Sequence, residues 1–119
     1  MTITVYGIKS CDTCRKARRL LDAQGTPYRY HDLRDDGLDP QQLDAFLART
    51  DWQTLLNTRS TTWRQLDSTD KQDLDAERAR ELMLANPTLI KRPVLQSTAP
   101  EADGILIVGL DPARIAGLA

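Results

Sequence analysis

The first 33 residues contain a strand, a helix and a second strand in immediate succession, and this order constrains the fold more than any other feature. Apolar and polar residues alternate over residues 2–6, which predicts the first strand. Apolar positions then recur at helical spacing from Cys14 to Gln24, and Gly25 is placed to end that helix. Residues 26–33 form the second predicted strand. A strand–helix–strand unit this short implies parallel pairing of the two strands through a right-handed crossover.

The middle of the chain is predicted to be helical. Asp39 caps one helix and is followed by a proline, which suits the first helical position. A short helix is predicted over Trp52–Leu56, and a longer one from near Asp75 to Asn86. We expect these helices to form an insertion over about residues 38–88 of a single domain that spans residues 1–119.

Two further strands and a short helix complete the chain. The predicted strands are Pro93–Leu95 and Gly104–Gly109, and only nine residues lie between Leu95 and Ile105, too few for a crossover helix. We therefore expect an antiparallel hairpin. The solid apolar run of the last strand favours a central, buried position in the sheet. Asp111 caps the last predicted helix. This order of elements is typical of an α/β, thioredoxin-like fold, a four-stranded mixed sheet (βαβ, then ββα) with an inserted helical segment.

Charge and composition exclude several classes of function. The chain has 16 Lys and Arg against 17 Asp and Glu, a net charge of −1, so it lacks the basic field that is typical of nucleic-acid binding. No apolar run approaches the roughly 20 residues of a membrane span. Two cysteines cannot build a disulfide scaffold, and a close pair is typical of redox chemistry or metal binding in a reducing compartment. We expect a cytoplasmic monomer that binds neither nucleic acid nor membranes.

The sequence Cys11-Asp12-Thr13-Cys14 is the strongest indication of chemistry. Cys11 lies where the loop after the first strand becomes a helix, and the N–H groups and dipole of a helix start stabilise a thiolate. Arg15 follows four residues later and can extend back over Cys11, which makes it a candidate catalytic residue. Such surroundings lower the pKa of a cysteine from about 8.5 to roughly 3.5–7.5. Cys11 is therefore the candidate nucleophile, and Cys14 is the candidate resolving thiol.

Other interpretations of the two cysteines stay open. A zinc site needs two more ligands, whereas the chain offers no third cysteine and one histidine, His31, which is more typical of a strand edge. A permanent disulfide in so short a loop is uncommon in the cytosol. Cys14 can also be a small buried residue on the apolar face of its helix, which leaves Cys11 as the sole reactive thiol. We expect no bound metal.

Two further segments carry candidate binding residues. Pro93 opens a predicted strand, and at this place in a thioredoxin-like sheet the X–Pro bond is cis and faces the active thiol. The backbone of Arg92 is then left to bind substrate; a trans proline at the strand entry is the alternative. The polar run Asn57–Arg64 has Arg59 near its middle. An arginine can bind a carboxylate, phosphate or arsenate, or stabilise a thiolate, although a lone loop arginine is usually solvated surface.

Three sequence motifs together resemble those of a known family. The motifs are Gly7-Ile8-Lys9-Ser10-Cys11-Asp12-Thr13, Asn57-Thr58-Arg59-Ser60-Thr61-Thr62-Trp63 and Leu89-Ile90-Lys91-Arg92-Pro93-Val94-Leu95. At these motifs the chain resembles the ArsC (arsenate reductase) family, over essentially all of residues 3–119, and within that family the small YffB-type proteins. The resemblance implies a catalytic Cys11, and roles for Arg59 and Arg92 in binding an oxyanion or a thiol. It also implies turnover coupled to glutathione and glutaredoxin, with no bound prosthetic group.

The chain departs from the family pattern at two points. Arsenate-reducing members carry a third arginine shortly after the cis-proline strand, whereas Gly104–Gly109 is apolar here and the next arginine is Arg114. Residues Cys11–Arg18 are similar to the redox switch of Spx, a transcription regulator that binds the RNA polymerase α subunit. We predict a glutathione-dependent thiol–disulfide reductase in which Cys11 is the nucleophile. The alternatives are an Spx-like regulator that binds RNA polymerase through a Cys11–Cys14 switch, and a genuine arsenate reductase.

Overall fold

The computed structural model describes residues 3–97 and 105–118, and within these ranges the chain forms four β-strands and seven α-helices. The strands are β1 (Ile3–Gly7), β2 (Arg29–Asp32), β3 (Val94–Ser97) and β4 (Leu106–Val108). The helices are α1 (Asp12–Ala23), α2 (Pro40–Leu47), α3 (Trp52–Leu55), α4 (Thr61–Gln65), α5 (Ser68–Lys71), α6 (Ala76–Ala85) and α7 (Pro112–Ala116), with a 3₁₀ turn at Pro87–Leu89.

The described strands form one mixed sheet in the order β2-β1-β3-β4. β1 and β2 pair in parallel, with Val5 opposite Tyr30, and α1 makes the crossover between them. β3 runs antiparallel to β1, with Leu95 opposite Val5, and β4 runs antiparallel to β3, with Ile107 opposite Leu95. The predicted parallel pair, the hairpin and the four-stranded mixed sheet are therefore confirmed.

The position of β4 corrects one prediction. Its apolar run favoured a central place in the sheet, but among the described strands β4 lies at the edge, beside β3. The run is apolar because successive side chains point to opposite faces and both faces are covered: Ile107 is 1% exposed and Leu106 is 9% exposed. Burial of both faces does not reveal how many neighbours a strand has. Gly104 of the predicted strand lies outside the described residues, as does Thr2 of the first predicted strand.

β2 is shorter than the strand predicted over residues 26–33, because Thr26 is hydrogen-bonded to the end of α1. Gly25 adopts a left-handed backbone (φ +73°), as expected for the residue that ends the helix. The Thr26 N–H donates to the Leu21 carbonyl (3.0 Å), and the Gln24 side chain donates to the Thr26 hydroxyl (2.9 Å). These bonds hold the segment against the helix end, so the strand starts three residues later.

One face of α1 packs on the sheet and on α7. Ala17 and Leu21 of α1 are fully buried, which matches the apolar spacing of the sequence. Burial of a large aliphatic side chain contributes about 1.5–3 kcal/mol, so the apolar cluster between the sheet, α1 and α7 stabilises their packing. Its buried members are Ile3, Val5, Ala17, Leu21, Leu95, Ile107, Ile115 and Leu118.

The chain divides into two compact units. The first comprises the described residues of Met1–Asp36 and Arg92–Ala119 and contains the sheet, α1 and α7; the second is Gly37–Lys91 and contains the other helices. Within the second unit, an ion pair between Arg80 and Asp44 (2.7 Å) joins α6 to α2. The single domain over 1–119 with an insertion over about 38–88 stays a prediction. No helix of the described residues is long and apolar enough to cross a membrane.

Candidate active site

The loop that leads to Cys11 is short and held by backbone hydrogen bonds. Beyond Gly7, at the end of β1, the Cys11 N–H donates to the Ile8 carbonyl (3.0 Å). Cys11 then caps α1 with an extended backbone (φ −87°, ψ 121°). The predicted nucleophile therefore lies at the start of a 12-residue helix, where the first-turn N–H groups have no partner within the helix.

Asp32, at the end of β2, anchors this loop. Asp32 is 3% exposed, and its carboxylate accepts hydrogen bonds from the N–H groups of Lys9 (3.1 Å), Arg34 (2.8 Å) and Asp35 (2.9 Å). Burial alone raises the pKa of Asp32, but these N–H groups outweigh burial and hold the pKa below its usual value. Asp32 is therefore a buried, ionised group that fixes the backbone just before Cys11.

Several neighbouring groups stabilise the thiolate of Cys11. Its Sγ, which is half-buried, lies 3.0 Å from the Thr13 hydroxyl. Burial raises the pKa of this thiol, but hydrogen bonds from the Thr13 hydroxyl, the Cys14 backbone and thiol, and the Arg92 side chain lower it to about 7. The Cys14 N–H lowers the pKa of Cys11 although the Cys11 side chain does not form a helix-capping hydrogen bond. At pH 7 about half of the molecules carry the thiolate.

Cys14 lies one helical turn later and is enclosed. The residue is 1% exposed, and its side chain packs so closely on the end of β1 that a Cβ at Gly7 would lie 2.7 Å from its Sγ. Burial raises the pKa of the Cys14 thiol to about 12, and Cys11 adds to the rise. Both cysteines are free thiols. Cys14 is thus a neutral thiol at pH 7, next to a thiol that ionises.

The Arg92–Pro93 peptide bond is cis, which confirms the prediction made from the order of the elements. The Thr13 hydroxyl donates to the Arg92 carbonyl (3.3 Å), so the residue before the cis bond is tied to the first turn of α1. Within the first unit, the structure brings together Cys11, Cys14, Arg92 and Pro93. Their assignment as catalytic and substrate-binding residues stays a prediction.

Arg15 has a different partner from the expected one. Its guanidinium forms an ion pair with the Asp12 carboxylate on the exposed surface of α1. The arginine that hydrogen-bonds the Cys11 thiolate is Arg92. A catalytic role for Arg15 stays a prediction.

Arg59 belongs to the second unit, where it lines a cavity of about 430 Å³. The loop that carries it is fixed, because the Asn57 N–H donates to the Leu89 carbonyl (2.7 Å) and the Arg59 N–H donates to the Asn57 side-chain oxygen (3.0 Å). Lys91 supplies a second cation to the cavity lining. Two cations suit an anionic group, and substrate binding by Arg59 stays a prediction.

Sequence reasoning does not single out Thr13 or Asp32, which both act on the Cys11 region. A signal for Asp32 exists, since an aspartate at a strand end before a polar turn often accepts N–H bonds from the next residues. The ring of His31 packs against Tyr6 with 5.0 Å between ring centres. Within residues 3–97 and 105–118, no three His, Cys, Asp or Glu side chains lie close enough together to hold a metal ion.

Comparison with known proteins identifies the family. The sequence model of the ArsC family matches residues 6–118, which include all of the predicted site residues. The chain belongs to the ArsC family.

Three known proteins illustrate what this ArsC-family chain is similar to. The solved structure of a YffB protein is 44% identical, with a TM-score of 0.89, and the match covers 98% of this chain and 99% of that one. An arsenate reductase (ArsC) related protein from Brucella melitensis is also 44% identical, with a TM-score of 0.74 and coverages of 98% and 93%. The global transcriptional regulator Spx of Listeria innocua is 32% identical over 95 residues, 78% of this chain and 72% of Spx. These matches confirm both the YffB and Spx relationship and the thioredoxin-like fold.

Proposed function

We propose that this ArsC-family protein is a glutathione-dependent thiol–disulfide reductase with Cys11 as its nucleophile. The observation that carries the proposal is the Cys11 thiol at the start of α1, which lies 3.0 Å from the Thr13 hydroxyl and has a pKa of about 7. The thiolate, and not the thiol, is the form that attacks a disulfide sulfur. A thiol with this pKa supplies that form at neutral pH.

The reaction consists of two thiol–disulfide exchanges. The Cys11 thiolate attacks the glutathione sulfur of a mixed glutathione disulfide; an S–S bond forms between Cys11 and glutathione, and the other half leaves as a thiolate. A second glutathione, as its thiolate, attacks the glutathione sulfur of this intermediate, which releases oxidised glutathione and restores the Cys11 thiolate. In the net reaction, one glutathione thiol is oxidised to the disulfide, and the half of the substrate that is not glutathione is released as a thiol.

Glutathione suits the second exchange better than Cys14 does. A thiol with a pKa of about 12 is ionised in roughly one molecule in 10⁵ at pH 7. A solvated thiol with a pKa of about 8.5 is ionised in about 3% of molecules. We therefore assign the resolving role to glutathione, and propose that the buried Cys14 is dispensable for turnover.

A disulfide suits this chain better than arsenate. Arsenate carries between one and two negative charges at neutral pH, so its reduction needs several fixed donors around the oxygens. The segment Gly104–Gly109, where arsenate-reducing members place a third arginine, carries no cation, and Arg114 lies in α7. The reacting sulfur of a mixed disulfide is neutral and makes no such demand. We propose that Arg92 binds the anionic part of the disulfide substrate and that Arg59, within the second unit, binds an anionic group.

Steady-state turnover tests the proposal. The kcat/KM for the mixed disulfide of glutathione and 2-mercaptoethanol is compared with that for arsenate, with the same glutathione concentration in both assays. We expect the disulfide to be preferred, the Cys11→Ser variant to be inactive and the Cys14→Ser variant to keep at least half of the activity. A preference for arsenate, or full activity of Cys11→Ser, would overturn the proposal.

An Spx-like redox switch is the second candidate function. The observation that favours it is the pair of free cysteines three residues apart, in a chain that is 32% identical to a regulator. Here a two-electron oxidant such as hydrogen peroxide, which is reduced to water, would take two protons and two electrons from the Cys11 and Cys14 thiols, join their sulfurs in a disulfide and change a contact with the RNA polymerase α subunit. Calorimetric titration of purified α subunit with the oxidised and the reduced protein tests this candidate. Redox-dependent binding without disulfide turnover would select the regulator over the reductase.

The proposed reductase works with soluble thiols in the cytoplasm, where glutathione keeps thiols reduced. We propose that it is a monomer without a bound cofactor, that glutaredoxin is a second candidate reductant of the Cys11–glutathione intermediate, and that neither nucleic acid nor membrane is a partner. Sedimentation of the purified protein and turnover assays with and without glutaredoxin test these points.

A further inference from the structure

Thr13 has one hydroxyl proton and two acceptors within reach. Its Oγ1 lies 3.0 Å from the Cys11 Sγ and 3.3 Å from the Arg92 carbonyl oxygen. A threonine hydroxyl donates one hydrogen bond at a time and can accept others. Thr13 can therefore donate to the sulfur or to the carbonyl, but not to both at once.

The charge on Cys11 decides which acceptor receives the proton. When Cys11 is a thiol, its S–H can donate to the Thr13 oxygen, and the Thr13 O–H can donate to the Arg92 carbonyl. When Cys11 is a thiolate it has no proton to give, and a charged acceptor makes roughly twice as strong a hydrogen bond as a neutral one. The Thr13 O–H then turns towards the sulfur, and the Arg92 carbonyl loses this donor.

We infer that Thr13 is a further catalytic residue, whose hydroxyl switches between the Arg92 carbonyl and the Cys11 thiolate and so makes the carbonyl a peptide acceptor in the ionised enzyme. This inference rests on the proposed function and deepens it: it assigns the residue that controls recognition of the amide N–H in a peptide disulfide such as that of glutathione. A backbone carbonyl before a strand is an acceptor well suited to such an N–H, and it accepts that bond more strongly when the Thr13 O–H does not share it.

The other charged groups around Cys11 within the first unit form pairs of their own or act on the sulfur directly. Cys14, with a pKa of about 12, stays neutral over the range of the switch. The switch therefore follows the ionisation of Cys11, near pH 7. These charged groups are Arg92 before β3, Asp32 at the end of β2, which accepts backbone N–H bonds, the Asp12–Arg15 pair on α1 and the Lys9–Asp35 pair beside the loop.

Two variants separate the hydroxyl from the shape of the side chain. Thr13→Val keeps the branched shape and removes the donor, whereas Thr13→Ser keeps the donor. We expect Thr13→Val to raise the inflection of Cys11 alkylation by at least one pH unit, which lowers the alkylation rate at pH 7 about fivefold. Thr13→Ser restores the wild-type inflection, and Thr50→Val, a threonine in the second unit, leaves it unchanged. Circular dichroism and thermal melting show whether each variant is folded.

The pH dependence of KM tests the switch itself. For the wild type we expect KM for a glutathione disulfide to fall as the pH rises through 7, and KM for bis(2-hydroxyethyl) disulfide, which has no amide, to stay constant. In Thr13→Val both KM values should be independent of pH. Unchanged alkylation in folded Thr13→Val, or the same KM profile in both proteins, would overturn the inference. The alkylation assay needs no turnover, so it tests Thr13 even if the proposed reductase activity fails.

Discussion

Cys11 and Cys14 show how position sets the chemistry of one residue type. They lie three residues apart, yet the pKa is about 7 for Cys11 and about 12 for Cys14. Burial raises the pKa of both thiols. Cys11 gains hydrogen bonds from Thr13 and Arg92 that outweigh burial, whereas Cys14 is enclosed against the end of β1. The two thiols are therefore a nucleophile and a small buried side chain, and not an equivalent pair.

Alkylation should separate the two thiols. We expect the rate of Cys11 modification by iodoacetamide to rise through an inflection near pH 7, because the reactive thiolate accumulates above the pKa. In the Cys11→Ser variant, Cys14 should show no inflection below about pH 10. Mass spectrometry of samples quenched at each pH measures both rates. A Cys11 inflection at or above about 8.5 would remove the case for an activated nucleophile.

Replacement of Arg92 should destabilise the Cys11 thiolate and slow turnover. A hydrogen bond to a charged group contributes about 1.5–3 kcal/mol, so we expect Arg92→Ala to lower kcat/KM roughly ten- to a hundredfold and to raise the alkylation inflection of Cys11. Arg19→Ala is the matched control, because it removes one exposed cation from α1 of the same unit. If both variants lose activity equally, the effect comes from overall charge and not from the Arg92 hydrogen bond.

At the scale of single residues, the sequence predicts those side chains whose role depends on their place at the start of a helix or strand. Cys11 at a helix start and Pro93 at a strand start follow from the pattern of elements. Thr13 and Asp32 each have a local partner, but the bonds that tie them to the rest of the site involve residues distant in sequence and escape prediction: Thr13 bonds Arg92, 79 residues away, and Asp32 bonds Lys9, 23 residues away. Arg15 is close to Cys11 in sequence but pairs with Asp12.

At the scale of elements, Gly7 lets α1 approach the end of β1. A Cβ there would lie 2.7 Å from the Cys14 Sγ and 3.1 Å from its Cβ, both closer than normal packing. We expect Gly7→Ala to destabilise the protein by about 1–3 kcal/mol, the usual result of overpacking. Urea denaturation followed by circular dichroism measures the loss.

A double variant checks that this loss comes from the Cys14 contact. Cys14→Ala removes the sulfur, so Gly7→Ala in a Cys14→Ala background should cost less than Gly7→Ala alone, by at least 0.5 kcal/mol of coupling. Equal costs in the two backgrounds would mean that the extra methyl group at residue 7 acts on something other than Cys14.

The helices and strands also show which features of a sheet can be predicted from local sequence. Apolar alternation and Gly25 predict α1 and the strands beside it, because helix caps and strand faces depend on neighbouring residues. The edge position of β4 depends on which strands pair, and the apolar run of a strand covered on both faces carries no information about that. The shorter β2 results from hydrogen bonds of Thr26 to the end of α1.

At the scale of the whole molecule, the sheet order brings two segments that are distant in sequence to one site. β3 lies next to β1, so the cis Arg92–Pro93 bond before β3 lies near Cys11, just after β1. The short spacing between the last two strands predicts their hairpin, but no spacing predicts that β3 pairs with β1. That neighbour relation, and with it the site, could be expected only from the complete order of elements and from the family resemblance.

The stability of the whole protein should depend on the Asp32 carboxylate. In Asp32→Asn the side-chain NH₂ group replaces one of the two acceptor oxygens and faces the N–H of Lys9 or those of Arg34 and Asp35, so those donors lose their acceptor. We therefore expect Asp32→Asn to lower the free energy of unfolding by about 1–3 kcal/mol at pH 7 and Tm by several degrees. Asp35→Asn, which removes an exposed ion pair with Lys9, should cost less than about 1 kcal/mol.

At acid pH, the wild type and Asp32→Asn should have the same thermal stability. Because the folded-state pKa of Asp32 lies below its unfolded value, its charge stabilises the fold fully above the unfolded value, near 4. That contribution falls as the pH drops through the folded-state pKa, and the neutral asparagine does not titrate. Thermal melting of the wild type and Asp32→Asn between pH 7 and pH 2 should therefore show two Tm curves that converge below about pH 4. A gap that stays constant with pH would show that the Asp32 carboxylate acts through its shape and not through its charge.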